Sequence, residues 1–155
     1  MIRSTIALLI MFVSAFAWAD DAADAGAKLH EYFAEFNKKN IEQIANHVYS
    51  TPVHIGGGDA HRVLADPAAA VANLTGLYDQ IEEQGWVESR IDNLKICMAS
   101  ETLALVDTRY SRIDKDGEAI PPAIRTTLYV LQKIAGDWRV VAFYGHDSAV
   151  RPGCD

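Results

Sequence analysis

Two opposite charges stand two residues apart in the stretch Leu103-Ala-Leu-Val-Asp-Thr-Arg-Tyr-Ser-Arg-Ile113. Alternation along a strand puts Leu103, Leu105, Asp107, Arg109 and Ser111 on one face. A carboxylate and a guanidinium behind two leucines can orient a polar ligand, and Asp107 can act as a base. If that face is the inner one, the charges are desolvated and each needs a partner. The other face, with Val106, Thr108, Tyr110 and Arg112, is the alternative inner one. Arg125 enters the partner strand, where it can complete an anion-binding corner. Tyr144 and His146 share a face at the end of the last strand, and His146 is the second candidate acid or base because imidazole titrates near neutrality. His54 sits beside a flexible glycine run, and Tyr32 projects from an aromatic helix face as a possible hydroxyl donor. The ligand-binding candidates are therefore Tyr32, His54, Asp107, Arg109, Arg125 and Tyr144.

Other chemistries lack their signatures. His54 and His61 flank Asp59 across Gly56-Gly57-Gly58, but no HExxH or facial-triad pattern is present, and no metal site is expected. The glycine run is followed by no Lys-Ser/Thr and no helix, so it reads as a loop rather than a phosphate cradle. Without CxxC there is no zinc or thioredoxin-type motif. No nucleophile elbow or triad spacing occurs, and no cofactor is implied.

The elements that must position these residues follow from periodicity. Residues 20–39 read as a helix, with Leu29, Tyr32, Phe33 and Phe36 at helical spacing. Asn40 looks like a new N-cap with Gln43 as its capping-box partner, opening a short helix with Ile41, Ile44, Ala45 and Val48 inward. Pro52 stops it, and residues 53–55 form a short strand. Asp66-Pro67 starts another helix, with Val71, Leu74, Leu77, Tyr78 and Ile81 inward and Gly85 as the stop. From Trp86 the period becomes two, with a parity shift at Asp92-Asn93 that predicts a bulge. Further strands are expected over 103–113, 124–134 and 138–146, joined by turns at 114–117 and 136–137. Helices first and strands last is the α+β order, with N-terminal helices packed in a curved antiparallel sheet.

The first residues read differently. Arg3, an apolar run over 6–16 and the small-x-small site Ala17-Trp18-Ala19 make 1–19 a cleavable signal peptide, leaving 20–155 as a single domain. The protein is expected to be exported, periplasmic or secreted, with no membrane contact after cleavage. Loss of Arg3 leaves 13 basic and 21 acidic side chains, a net charge of −8. Such a surface repels phosphate backbones, so no nucleic-acid partner is expected. Export places Cys97 and Cys154 where disulfides persist, and a loop that long is stabilised by about 4 kcal/mol on closure.

The order of parts over 20–148 resembles the nuclear transport factor 2-like superfamily, with its SnoaL-like and ketosteroid isomerase-like members. The echoes are the long first helix running into Asn40-Ile41-Glu42-Gln43-Ile44, the Pro67-led helix, Thr127-Leu128-Tyr129-Val130-Leu131, and Gly136-Asp137-Trp138-Arg139-Val140-Val141. The resemblance implies a cone, a curved sheet wrapped around helices with a pocket at one end, and frequent homodimers through the sheet. It leaves function open, since the fold hosts enzymes and adaptors alike. The first reading is an exported domain binding a small, partly apolar ligand in the cone. The alternatives are a cofactor-independent isomerase, cyclase or hydrolase of the SnoaL-like type, and a dimerising protein-interaction module. Ketosteroid isomerase-like chemistry needs a carboxylate base beside a hydroxyl and a protonated acid. Asp107 and Tyr32 would supply the first two, and no second acid is identified.

The intact mass of protein recovered from the exported fraction is expected to match a chain beginning at Asp20 and lacking two hydrogens, with Cys97 and Cys154 peptides linked until reduction. A mass retaining Met1, or two alkylatable thiols, contradicts this.

Overall fold

The computed structural model describes residues 6–153, and side chains from Asp20 onward. Helix α1 spans Ile6–Asn37 without a break at residue 20. Arg3 and Cys154 lie outside the described residues. Among those described, no helix is long and apolar enough to cross a membrane. A short α2, Ile41–Gln43, widens into a π-helical turn over Ile44–Val48. The expected capping box does not form. Asn40 makes no side-chain cap bond, and its Nδ2 donates to Glu35 Oε2 at 2.7 Å. Helix α3, Pro67–Glu82, starts as expected, with Ala69 N–H donating to Asp66 Oδ1 at 2.8 Å. Gly85 takes φ +84° and ends that segment.

Six strands follow or intervene: β1 Tyr49–Gly57, β2 Ala60–Leu64, β3 Trp86–Ser100, β4 Leu103–Asp114, β5 Arg125–Ile134 and β6 Asp137–His146. They form one sheet in the order β2-β1-β6-β5-β4-β3. The sheet is mixed rather than antiparallel throughout, because β1 pairs parallel with β6. The bulge expected near Asp92 is present, as a register shift between Ile91 and Asn93. Strand β2 was not expected. Four of its five residues are exposed and only Leu64 is buried, so no alternation marks it. Gly56 and Gly57 belong to β1 rather than to a loop. A Cβ at Gly56 would meet Ala60 O at 2.8 Å, and one at Gly57 would meet Gly145 O at 3.2 Å, so these glycines let β1 approach both neighbours.

The curved sheet closes over α1. Leu29, Tyr32, Phe33 and Phe36 are buried against Val106, Tyr129, Leu131 and Val140. The end of α1 is fastened twice. Asn37 Nδ2 donates to Ser89 O at 3.0 Å, and Ser89 N–H donates to Asn37 Oδ1 at 2.8 Å. Tyr78 of α3 donates from its hydroxyl to Phe36 O at 2.7 Å.

On β4 the inner face carries Ala104, Val106, Thr108, Tyr110 and Arg112, the first three fully buried. Asp107 points to the outer face, where it is nevertheless 1 % exposed. The segment after β6 folds back over it. His146 Nε2 lies 2.8 Å from Asp107 Oδ1. Arg151 Nε lies 3.0 Å from Oδ2, an ion-pair contact whose angle falls short of a hydrogen bond. Asp107 therefore pairs with Arg151 and His146, and not with Arg109. Arg151 also donates to Asn93 Oδ1 at 2.7 Å, and Lys95 donates to Pro152 O at 3.1 Å.

Removing Arg151 leaves a buried carboxylate with one partner, whereas Arg109 has no ion pair among the described residues. Arg151→Met is expected to cost about 1–3 kcal/mol, and Arg109→Met no more than about 0.5 kcal/mol, in urea melts of the two variants beside wild type. Equal costs would contradict the assigned pairing.

Candidate functional site

A cavity of about 510 Å³ opens between α1, α3 and the inner sheet face. Its apolar wall is aromatic. Tyr32, Phe33 and Phe36 come from α1, Tyr49 from β1, and Tyr110, Tyr129 and Phe143 from the sheet. The rings form one connected set. Tyr32 lies 5.9 Å from Tyr49 and 5.7 Å from Tyr129 between centroids, and Phe33 lies 5.4 Å from Tyr110. Helix α3 supplies the facing wall with Asn73, Leu77 and Gln80. This division follows from the sequence spacing, because i, i+4 and i+7 share a helix face.

Three of the phenols in this wall are held in the neutral form. Tyr49 O–H donates to Tyr32 Oη at 3.4 Å. Burial pushes Tyr32 up to about 12 and holds Tyr49 and Tyr129 well above the ordinary phenol value. Charge comes from Arg112, half-buried near the end of β4, and the exposed Arg62 on β2. Among the described residues, no Asp, Glu, His or Lys lines the cavity. Arg112 faces Ser89 across the β3–β4 pairing. Its Nε is buried and has no acceptor.

The residues singled out by sequence are dispersed. Tyr32 lines the cavity. Asp107 and His146 meet on the outer face with the C-terminal segment. Arg109 and Tyr144 are on that outer face too, since both share its strand parity. Arg125 is occupied by the preceding loop, donating to Ile120 O at 2.9 Å, Pro122 O at 2.6 Å and Pro121 O at 3.0 Å. Burial first, and the neighbouring Arg112 second, lower its pKa. His54 is exposed and stacks on His61, with centroids 5.7 Å apart, outside the cone. Arg125, His146 and Asp147 border a shallower depression at the sheet's end. Among the described residues, no three His, Cys, Asp or Glu side chains converge on one point.

The β4 cavity residues belong to the alternative face, Thr108-Tyr110-Arg112. The signal that could have favoured it is size. Ala104, Val106 and Thr108 are small or β-branched, which suits a position under a helix, while Leu103 and Leu105 on the other face are only partly covered. Arg62, Asn73, Gln80 and Ser89 carried no mark in the sequence.

Comparison with known proteins gives a family and a fold. Residues 21–148 match the family described as NTF2-like protein (DUF6841). No curated protein matches the chain by sequence. Among solved structures, an NTF2-like protein with a cystatin-like fold from Novosphingobium aromaticivorans is similar, at TM-score 0.67 and 9% identity, over 95% of each chain. A ketosteroid isomerase-like protein from Erwinia carotovora atroseptica gives TM-score 0.62 and 16% identity, over 85% of this chain and 98% of that one. An NTF-2 like protein of unknown function from Shewanella oneidensis gives 0.62 and 13%, over 81% and 98%. At these identities the likeness is one of fold.

Tyr32, Tyr49, Tyr78 and Tyr129 all have raised values in the folded state. Titration monitored by tyrosinate absorbance to about pH 11 should therefore ionise no more than two of the six tyrosines before unfolding. Above about pH 10 the unfolded chain releases phenol protons that the folded chain keeps. Stability contributed by these groups is whole below pH 10 and is lost as pH rises towards about 12. Ionisation of all six in still-folded protein would contradict the buried cluster.

Proposed function

The chain belongs to the NTF2-like family DUF6841, and on that premise we propose that it is an exported domain that binds a small, partly apolar ligand inside the cone. The observation that carries this reading is the cavity itself. A space of about 510 Å³ lies within the range of small-molecule sites. An aromatic wall with a few polar groups is the composition such sites favour.

The isomerase or hydrolase reading needs a general acid or base within reach of the ligand. The Asp107–His146 pair would have to serve, and it stands on the opposite face of the sheet from the cavity. The binding reading is therefore the one adopted. Export and a Cys97–Cys154 bridge belong to the same proposal. Supporting the bridge, the contacts of Arg151 with Asn93 and of Pro152 with Lys95 run the C-terminal segment along β3, two residues before Cys97.

Gly76 of α3 separates binding from folding. It lines the cavity, and a Cβ there meets nothing within 4 Å. Gly76→Phe is expected to place a ring at the cavity mouth and obstruct it. Helix propensity should leave stability unchanged or raise it by no more than about 0.5 kcal/mol. Native mass spectrometry of unextracted protein should show a bound small molecule in wild type and its loss in Gly76→Phe. A ligand retained equally by both would place binding elsewhere.

A further inference from the structure

The charges on the cavity wall are all of one sign. The chain has 21 acidic and 14 basic side chains, yet the wall carries Arg112 and Arg62 and no carboxylate. Arg112 forms no ion pair among the described residues, and its buried Nε has no acceptor. Its neighbour Arg125 shows what a satisfied guanidinium looks like here, with three loop carbonyls around it. The buried Nε has lost water and gained no acceptor in exchange. The surrounding phenols supply no counter-charge, because burial keeps them neutral. Ser89 stands opposite Arg112, and its Oγ already accepts from Trp86 Nε1 at 3.0 Å. The Ser89 hydroxyl proton thus remains available to a second acceptor.

We propose that the cavity takes a small organic carboxylate, its carboxylate group on Arg112 and its apolar body against the tyrosine and phenylalanine wall. A guanidinium presents two parallel donors that match the two oxygens of a planar carboxylate. The Ser89 hydroxyl and the neutral phenols are further donors to the same group. Arg62 adds attraction for an anion on its way in. This inference rests on the reading of the cavity as a ligand site and names the class of molecule for it.

The test compares 2-naphthoate with its neutral isostere 2-naphthamide by isothermal titration calorimetry on the full exported chain. Wild type is expected to bind the carboxylate roughly tenfold or more tightly than the amide, the scale of a charge-assisted hydrogen-bond pair. Arg112→Gln should remove that preference, bringing the two probes within about twofold of each other. Arg112→Lys should keep part of it, because a point charge lacks the fork. Gly76→Phe should weaken both probes. Equal affinity of wild type for the two probes, with both lost in Gly76→Phe, overturns the carboxylate inference and leaves the cavity reading standing. A carboxylate preference that survives Arg112→Gln also overturns it. Failure of both probes to bind, or binding untouched by Gly76→Phe, overturns the cavity reading and this inference with it. The wild-type comparison needs no variant, so a misfolded Arg112→Gln does not protect the idea.

Discussion

The side-chain amide of Asn37 joins the edge of β3 as a strand partner would, giving one hydrogen bond to Ser89 O and taking one from Ser89 N–H. β3 is an edge strand, and an edge leaves backbone groups open to pairing. Here one such residue is used to hold a helix. The consequence runs inward. With its last residue fixed to the sheet, α1 cannot rotate without breaking two bonds, so Tyr32, Phe33 and Phe36 stay turned towards the cavity. The same contact holds Ser89 in place opposite Arg112. Tyr78 completes the frame by tying α3 to the Phe36 carbonyl. The cavity is thus the space left when two helices and a bulged sheet are fastened to one another at their ends.

Charge is sorted by the sheet. A strand passes successive side chains to opposite faces, so residues adjacent in β4 have different solvents. Asp107 goes outward and becomes buried only because the C-terminal segment returns across it with Arg151 and His146. His146 Nδ1 lies 3.0 Å from Asp147 O and its Nε2 2.8 Å from Asp107 Oδ1, so the ring bridges the chain end and the carboxylate. This cluster fastens the end of the chain to the outside of the cone. Arg112 goes inward, away from Asp107, into a wall of phenols. The sheet keeps the two apart, and that separation lets the interior carry a positive charge while the molecule as a whole is negative.

Much of the architecture could be read from local pattern. The aromatic face of α1, the Asp66 cap, the Gly85 stop, the bulge after Ile91 and three of the four late strands to within a residue or two depend on neighbours in sequence. Strand β2 and the parallel pairing of β1 with β6 could not be read so. β2 is mostly exposed and shows no alternation, and a parallel partner lies far away along the chain. Of the candidate site residues only Tyr32 lines the cavity, because its helix face was marked by three aromatic or apolar neighbours at helical spacing.

Sequence by itself determined which residues of β4 share a face, since period two is a property of the extended backbone. It also determined the helix faces, the Asp66 cap, the net charge and the family resemblance. Tertiary structure alone decided which β4 face looks into the cone, which partner Asp107 takes, and which arginine is left without one. A one-residue change of register would exchange the two faces of the strand at no local cost. The choice is made by what packs above: α1 lies on Ala104, Val106 and Thr108, where small and branched side chains admit a helix. Arg112 inherits its inward position from them. Arg125 and Arg112 are the same residue type on paired strands, and nothing in their local sequence separates them. A loop folding back over one of them, and an empty space in front of the other, is a distinction that only three dimensions contain.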